Sequence, residues 1–398
     1  MKAHHPAFRF FTKFAALVLT LACTAAAADE ARIWRAAVFD AQAKAIRVWD
    51  LGEQEEVASF KTRGSVQFQV GLEPMSVVTV EAAPGEVRLL HLGLTQEDHG
   101  DHKHWVTGKP TLGPVVLQGL RPSHVNAGAG QLAVFFDGDG AVRTVTPEAA
   151  ASPVVERLAD RAHHGIAVPL VGGRLLISVP ASEGTLPRGM QLLDSAGKLQ
   201  TRSPHCGAQH GDGHHQLRFL FGCDNGLLLY DDQRQTFELL PYPDDAGKRM
   251  VRNMVGTPIA PRFVASFGPS ALLLIDLDQQ KMIPVSLPAP VWHYGWDAAK
   301  PDQVYALLHS GELLALNARS GQILNRTALL PPWQAPAAGE SSPPAPKLAA
   351  SAGRIAVVDP RTGLLHFLRS SDLKALDRIA LGGQPISIVM RSVTLDPH

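Results

Sequence analysis

The 398-residue sequence has little of several features that would identify a protein class. Its 37 basic and 37 acidic residues leave no positive charge with which to displace counterions from nucleic acid. Apolar residues with helical spacing are almost absent. Beyond the N-terminal stretch, no run reaches the roughly 18 to 20 apolar residues that span a bilayer. We therefore expect neither a nucleic-acid binder nor a protein with membrane-spanning segments.

The first 28 residues have the pattern of a secretory signal peptide. Lys2, Arg9 and Lys13 precede an apolar run over residues 14–22, and the three alanines at 26–28 form a small-residue cleavage site. Removal of this segment leaves 34 basic against 37 acidic residues. We therefore expect a soluble, near-neutral mature protein in the periplasm.

Cysteine is scarce, with three residues in all. Cys23 lies in a poor lipoprotein box, so anchoring through it is the alternative to cleavage and release. Cys206 and Cys223 remain after cleavage, and an even number of cysteines in an oxidising compartment predicts a disulfide. Zinc binding by these two thiolates would instead need a reducing environment.

Pairs of short apolar strands joined by Gly, Asp or Asn turns recur along the chain. Their spacing of about 40 to 50 residues is the period of a β-propeller blade. A short segment before most of these hairpins supplies the innermost strand. The hairpins span residues 37–51, 77–92, 132–145, 174–193, 218–230, 263–277, 304–316 and 354–368, and the entry segments begin near Met75, His124, His164, His210, Pro258, His293, Lys347 and Pro385.

The pattern predicts an all-β fold, a single propeller domain over residues 29–398. We expect eight blades, with seven as the alternative. The last strand, at 386–390, has no hairpin after it and the first hairpin has no entry strand, so the two termini should complete one blade and leave no free sheet edge. Two insertions interrupt the period: a His-rich loop at 95–114 and a Pro-rich loop at 331–346, neither expected to carry core.

Histidine is used unusually, with 17 residues in the sequence. His124, His164 and His210 begin the inner strands of three consecutive predicted blades, where side chains converge on the axis, and three imidazoles there suit zinc. His293 occupies the same place two blades on and is a candidate fourth ligand. Asp212, with Asp137 and Asp139, offers carboxylates; a single histidine at a strand start, however, is more often hydrogen-bonded to the backbone.

Two further segments are rich in histidine. Residues 97–105 interleave His99, His102 and His104 with three acids, a composition that binds divalent cations from a mobile loop or is simply solvated. Residues 205–215 contain His214 and His215, which form either an auxiliary site or a polar turn.

Motifs for catalysis are poor by comparison. The sequence has no GxSxG elbow, no HExxH, no phosphate loop and no CxxCH. Zinc with an open coordination position can still activate water, with Asp212 or Asp139 as the base, so hydrolysis stays open on the ligands alone.

Several of these motifs together resemble a known family, the periplasmic propeller zinc metallochaperones that deliver zinc to the solute-binding protein of an ABC importer. The resemblance rests on the order of EDHGDHKH at 97–104, RPSHV at 121–125, FDGDG at 136–140, HHGIAVPL at 163–170, and the HGD and FGCDNG run that ends at 226. It departs from the family pattern in the extra histidines of HCGAQHGDGHH.

The resemblance implies a zinc-binding, non-catalytic and monomeric carrier. His124, His164 and His210 match its axial site, the His-rich loop hands zinc over, and the partner is the importer's solute-binding protein. The alternatives are a metal-dependent propeller hydrolase of the lactonase kind, a quinoprotein-like enzyme, and an interaction module that binds zinc incidentally. Copper and nickel also suit imidazole ligands.

Overall fold

The structure of the protein is a computed structural model. It describes residues 1, 32–73, 75–146, 154–334 and 341–395. Except for Met1, the signal peptide predicted over residues 1–28 lies outside the described residues, as do Cys23 and residues 335–340 of the Pro-rich segment. No helix in the described part of the chain is long and apolar enough to cross a membrane.

The described residues form eight four-stranded antiparallel sheets arranged as the blades of a propeller, numbered here in chain order. The first four blades are built from the first seventeen strands and the last. Blade 1 contains β1 (Arg32–Asp40), β2 (Ala45–Asp50), β3 (Glu55–Lys61) and β34 (Pro385–Thr394); blade 2 contains β4 (Val66–Val70), β5 (Ser76–Glu81), β6 (Glu86–His91) and β9 (Thr111–Gln118), with β7 (Leu94–Asp98) and β8 (Lys103–Thr107) inserted; blade 3 contains β10 (Pro122–Gly128), β11 (Gln131–Phe136), β12 (Ala141–Val145) and β13 (Val155–Leu158); and blade 4 contains β14 (Ala167–Pro169), β15 (Leu175–Pro180), β16 (Pro187–Leu193) and β17 (Leu199–Arg202).

The remaining four blades follow without a strand inserted between them, and two short 3-10 turns, Val171–Gly173 and Asp244–Ala246, lie in connections. Blade 5 contains β18 (Asp212–His215), β19 (Arg218–Gly222), β20 (Gly226–Asp231) and β21 (Thr236–Pro241); blade 6 contains β22 (Met254–Thr257), β23 (Ala260–Ser266), β24 (Ala271–Asp276) and β25 (Lys281–Ser286); blade 7 contains β26 (Val291–Trp296), β27 (Gln303–Leu308), β28 (Glu312–Asn317) and β29 (Ile323–Ala328); and blade 8 contains β30 (Lys347–Ser351), β31 (Arg354–Asp359), β32 (Leu364–Arg369) and β33 (Ala375–Ala380).

The apolar hairpins read from the sequence are the two middle strands of the blades, and the prediction of an all-β, eight-bladed propeller is confirmed. Middle strands such as β11 and β28 are almost continuously apolar because neighbouring blades cover both of their faces. The outermost strand β29, by contrast, alternates between half-buried and exposed residues. The buried side chains accordingly form eight clusters, each shared by two adjacent blades.

The ring is closed by the two ends of the chain. As predicted, the two ends complete one blade, and β34 pairs antiparallel with β1 in a register that places Ala36 opposite Met390. Ala36 and Met390 are both buried in the cluster that joins blade 1 to blade 8. The two ends of the chain are therefore held together within one blade.

Two of the predicted entry strands were misplaced. The innermost strand of blade 2 is β4, which ends before Met75, and Met75 is a buried residue just ahead of β5. The innermost strand of blade 6 is β22, which ends just before Pro258. Proline has no N–H to donate to a strand ladder, so β22 ends before Pro258. The sequence analysis had instead predicted that a strand begins there.

The His-rich insertion is structured, unlike the mobile loop expected from its composition. β7 and β8 form an antiparallel hairpin in which Glu97 lies opposite His104. The insertion also contributes to the core, against expectation, because Trp105 and Leu112 are partly buried and pack against the cluster between blades 1 and 2.

Strand order fixes which end of the ring carries each connection. In a four-stranded antiparallel blade, the connections entering the first strand and joining the second to the third lie on one face, called the entry face here. Those joining the first strand to the second and the third to the fourth lie on the opposite face, called the hairpin face. The β7–β8 hairpin joins the third and fourth strands of blade 2, so it lies on the hairpin face.

Candidate metal centre

Three imidazoles from separate blades meet at the entry face of the ring. His124 is the third residue of β10, while His164 and His210 lie in the connections just before β14 and β18. One ring nitrogen of each lies within 4.8 Å of one ring nitrogen of the others. The ring centroids are 4.9 Å apart for His124 and His164, 5.2 Å for His164 and His210, and 5.8 Å for His124 and His210.

Each imidazole has its Nδ1 atom bonded to an acceptor behind it. His124 Nδ1 donates to Asp212 Oδ1 at 3.0 Å, and His164 Nδ1 donates to Asp137 Oδ2 at 2.6 Å. His210 Nδ1 donates to the carbonyl oxygen of Arg252. These bonds place the proton on Nδ1 and leave the Nε2 lone pair available to a metal, the arrangement usual behind zinc-bound histidines.

The spacing of the Nε2 atoms fits zinc. His124 Nε2 and His164 Nε2 lie 3.3 Å apart. Two nitrogens that bind one zinc ion tetrahedrally at about 2.0 to 2.1 Å are separated by roughly 3.3 to 3.4 Å. Two neutral imidazoles with lone pairs facing each other at this distance are best stabilised by a cation between them.

The electrostatics of the cluster favour a bound cation. Burial lowers the pKa of His124, but the hydrogen bond to Asp212 and the charges of Asp212 and Asp137 outweigh this effect, so the pKa is raised overall. Burial lowers the pKa of His210, reinforced by the charges of His124 and His164. Burial raises the pKa of Asp212, but its bond to His124 prevails and holds the pKa below the ordinary value.

A buried histidine and serine fix the backbone that carries His164. His163 Nδ1 donates to the carbonyl oxygen of Arg161 at 2.9 Å, and His163 Nε2 lies 2.8 Å from Ser178 Oγ, which donates to it. Ser178 Oγ also accepts from the backbone N–H of Ile166 at 2.9 Å. His163 is only 3% exposed, so it points away from His164 into the blade rather than to the surface.

Gly165 completes this local support. A Cβ atom at this position would lie 2.3 Å from the ring of Phe135, so no other residue fits there without displacing the ring. The close approach brings the chain after His164 against blade 3. It also puts the Gly165 N–H within 3.4 Å of Asp137 Oδ1.

A disulfide braces the connection that carries His210. Cys206 and Cys223 are bonded, as predicted, with their Cα atoms 5.0 Å apart. The bridge ties the connection before β18 to the turn between β19 and β20. Within the same unit, the His210 N–H donates to the carbonyl oxygen of Gly222 at 3.0 Å.

The hairpin holds a second, more exposed group of ligands. Glu97, His99 and His104 each offer an atom within 4.8 Å of the others. The rings of His99 and His104 stack with centroids 4.6 Å apart, and His102 stacks on His99 at 5.3 Å. His102 also bonds Asp101 through Nδ1 at 2.8 Å, which turns it partly away from Glu97.

The other predicted ligands are placed elsewhere. His293 lies on β26 and accepts from the Leu348 N–H at 3.4 Å; it is not among the residues grouped with His124. Asp212 stands behind His124 rather than beside its Nε2. Asp139 binds Arg143, and His214 stacks on Phe219.

Sequence reasoning missed several functional contacts. It listed Asp137 as a possible ligand, whereas the structure puts this carboxylate behind His164. It found no role for Ser178. This residue lies on the next strand of the blade, so no sequence motif around His163 and His164 includes it. Glu97 was noted only as one acid in a charged tract.

The chain is similar in sequence to a protein named as a zinc chaperone. No family model matches the chain. The chain is 24% identical over 387 residues to the zinc chaperone AztD of Citrobacter koseri, an alignment that covers 95% of this chain and 91% of that protein. The predicted resemblance to a zinc chaperone is confirmed.

Solved structures confirm the fold. The crystal structure of Citrobacter koseri AztD has a TM-score of 0.85 at 23% identity, covering 92% of this chain and 100% of that one. The apo form of the same protein has a TM-score of 0.83 at 22% identity, covering 91% and 98%. The dihydro-heme d1 dehydrogenase NirN is also similar, with a TM-score of 0.60 at 12% identity over 89% of this chain and 74% of that one. Because this last relative is named as an enzyme, function has to be argued from the site.

Proposed function

We propose that this protein is an exported zinc chaperone, which holds zinc through histidine and transfers it to the solute-binding protein of an ABC zinc importer. The main support for this proposal is the arrangement of His124, His164 and His210. The Nδ1 atom of each imidazole is hydrogen-bonded, so the Nε2 atoms can bind one cation. The name of the relative, a zinc chaperone, supports the same function.

The donor set favours zinc as cargo. Three neutral imidazoles with hydrogen-bonded Nδ1 atoms give a site with one open coordination position, through which the ion can exchange ligands. Neutral nitrogen ligands suit borderline divalent metals better than magnesium or calcium. Zinc is therefore the substrate that the residues fit, with copper and nickel as the competitors to be tested.

Catalysis is not favoured by the same geometry. A metal-dependent hydrolase needs a base free to take a proton from the metal-bound water. The nearest carboxylates, Asp212 and Asp137, are already committed to the Nδ1 atoms of His124 and His164. We therefore propose that the protein carries metal without chemical turnover.

Transfer requires exposed ligands as well as a holding site. A zinc ion that passes directly between proteins is bound transiently by ligands from both, and Glu97, His99 and His104 present such ligands on an exposed hairpin. The signal peptide predicted over residues 1–28 places the carrier in the periplasm, where the solute-binding proteins of importers operate. We propose that the protein acts as a monomer, since one chain supplies all three residues of each cluster.

Metal analysis and zinc titration of the mature protein test this function. The wild type is compared with a H124A/H164A/H210A variant. A H99A/H102A/H104A variant, which loses the three histidines of the hairpin instead, is the matched control. We expect the first variant to lose the tighter zinc site and the second to keep it. Transfer is then followed with the purified zinc importer binding protein as acceptor. Unchanged zinc affinity in the first variant, or no transfer from the zinc-loaded wild type, would refute the proposal.

A further inference from the structure

The hairpin face carries apolar side chains at equivalent positions in three consecutive blades. Val171, Leu217 and Ile259 lie in the connections between the first and second strands of blades 4, 5 and 6. Their exposed fractions are 64%, 45% and 59%. These connections are the ones nearest the ring axis, because they begin at the innermost strand. The three residues together are called the apolar sector.

Neighbouring blades do not share this feature. The corresponding connection of blade 7 contains Asp297, Lys300 and Asp302, and that of blade 3 is the pair Ala129 and Gly130. Short connections between antiparallel strands are usually built from polar residues and glycine. Three large apolar residues at one position in adjacent turns therefore mark an interaction surface rather than a requirement of the fold.

A cavity opens within the apolar sector. It has a volume of about 260 Å³ and lies beside Val171 and Leu217. Pro169 and Phe219 complete its apolar wall, and its polar lining comes from His214, Gln216 and Asp232. The His214 imidazole is exposed and stacks on Phe219 at a centroid distance of 5.7 Å. A cavity of this size accepts one large apolar side chain from outside, which is how protein interfaces anchor their central residues.

The same face carries the metal-binding hairpin. Because β7 and β8 join the third and fourth strands of blade 2, Glu97, His99 and His104 project from the end of the ring where Val171, Leu217 and Ile259 lie. The His124 cluster lies at the opposite end. Blade strands of about six residues at roughly 3.3 Å per residue separate the two faces by about 20 Å, so one partner surface cannot share ligands with both clusters at once.

We infer that the metal acceptor docks on the hairpin face, with the apolar sector as its main contact. The inference rests on the proposed function, since direct transfer requires the acceptor to reach the exposed Glu97 and His99 and the half-buried His104 beside them. The acceptor surface has an apolar patch with one large side chain that enters the cavity, beside its own metal ligands. The carboxylates of Glu97, Asp98 and Asp101 favour a neutral or basic rim on that partner.

Charge introduction into the apolar sector tests this surface. A V171D/L217D/I259D variant is compared with L120D, because Leu120 is also 64% exposed but lies in the connection before β10, on the entry face. Zinc-loaded mature protein is mixed with the purified apo solute-binding protein of an ABC zinc importer, and both the dissociation constant and the transfer rate are measured. A V171S/L217S/I259S variant repeats the test with little risk to solubility.

We expect the triple aspartate variant to bind the acceptor at least about tenfold more weakly and to transfer zinc more slowly, as for loss of a central interface contact. Its zinc stoichiometry and the behaviour of L120D should equal those of the wild type. A defect in L120D alone would place the contact on the entry face and overturn the inference. Wild-type transfer with no defect in either triple variant would also overturn it while leaving the proposed function intact. Absence of transfer from the wild type would remove both.

Discussion

His124 and Asp212 connect the third blade of the ring to the fifth. His124 Nδ1 donates to Asp212 Oδ1 at 3.0 Å, although 88 residues separate the two in the sequence. Between them the innermost strand of blade 4 has only three residues, Ala167–Pro169. The bond therefore fixes both the tautomer of one imidazole and the relative position of two blades at the metal centre.

Replacement of this carboxylate should weaken zinc binding without unfolding the ring. Asp212→Asn removes the negative charge behind His124 and allows the amide to donate to Nδ1, which would leave the proton on Nε2. We expect zinc affinity to fall about tenfold to one hundredfold, the usual effect of changing a group behind a metal ligand. A chelator competition titration measures it. Asp278→Asn, at an exposed ion pair with Arg218, serves as control, and equal affinities of the two variants would contradict the assignment.

Removal of the hairpin histidines should leave the axial site intact. The H99A/H102A/H104A variant loses the exposed cluster, but the cluster of His124 lies on the opposite face of the ring. We therefore expect the tight zinc affinity to be unchanged within about twofold, since sites this far apart without shared partners behave independently, and we expect transfer to the acceptor to slow. Isothermal titration gives the affinity and stopped-flow exchange gives the rate. A loss of the tight site in this variant would mean that the two clusters are coupled.

Most of the fold could be predicted from sequence because blade hairpins are local. The turn residues and apolar runs that define β11 with β12, or β31 with β32, lie within about fifteen residues of each other, and their period is visible without tertiary information. Closure by β34 was predicted because the last strand has no hairpin after it and the first hairpin has no inner strand before it. Short inner strands were harder to place: β22 has four residues and β4 has five, so little pattern distinguishes them from the neighbouring turn.

The candidate site was predictable only in part. Repeat-equivalent positions brought His124, His164 and His210 together, but repeat equivalence failed for His293, which hydrogen-bonds the next blade instead. The partners of the imidazoles come from turns such as that of Asp137 and from backbone carbonyls such as that of Arg252. Their orientation depends on how adjacent blades pack, which no local pattern records.

The buried pair of His163 and Ser178 should position His164 for metal binding. His163→Phe keeps a ring in the space but loses both hydrogen bonds and leaves Ser178 Oγ without its imidazole acceptor. We expect weaker zinc binding and an altered ligand-field spectrum of the cobalt-substituted protein, which general destabilisation would not produce. His366→Phe is the matched control, since His366 is a buried histidine, 5% exposed, in blade 8. Equal zinc affinity and cobalt spectra in the two variants would exclude a positioning role.

Acid should destabilise the ring through His293. Burial, with a smaller contribution from the charge of Lys347, lowers the pKa of His293 to about 3. In the unfolded chain the pKa is about 6.5. Between these values the unfolded chain holds the proton and the folded chain does not, so the free energy of unfolding decreases as pH falls from about 6.5 towards 3.

His293→Asn should make this decline shallower. The comparison uses urea unfolding of the metal-free protein at several pH values across that window, with His102→Asn as an exposed control on the hairpin. The contribution of His293 is fully present above its unfolded pKa, so the variant and the wild type should differ in slope rather than by a constant offset. Parallel stability curves for the His293→Asn variant and the wild type would show that the buried imidazole does not set the pH dependence.

The disulfide should serve both stability and metal binding. Cys206 and Cys223 close a loop with a sequence separation of 17, so a C206A/C223A variant should lose about 3 kcal/mol of unfolding free energy under the chain-entropy description. His210 is four residues beyond Cys206 and takes its place in the cluster from the same connection, so the freed connection lets its imidazole move away from His124 and His164. We therefore expect zinc affinity to fall together with stability. Urea unfolding and zinc titration of the variant and of the oxidised wild type separate the two effects. A variant that loses stability but keeps full affinity would show that two hydrogen bonds hold the ligand without the bridge: one from the His210 N–H to the Gly222 carbonyl oxygen and one from His210 Nδ1 to the Arg252 carbonyl oxygen.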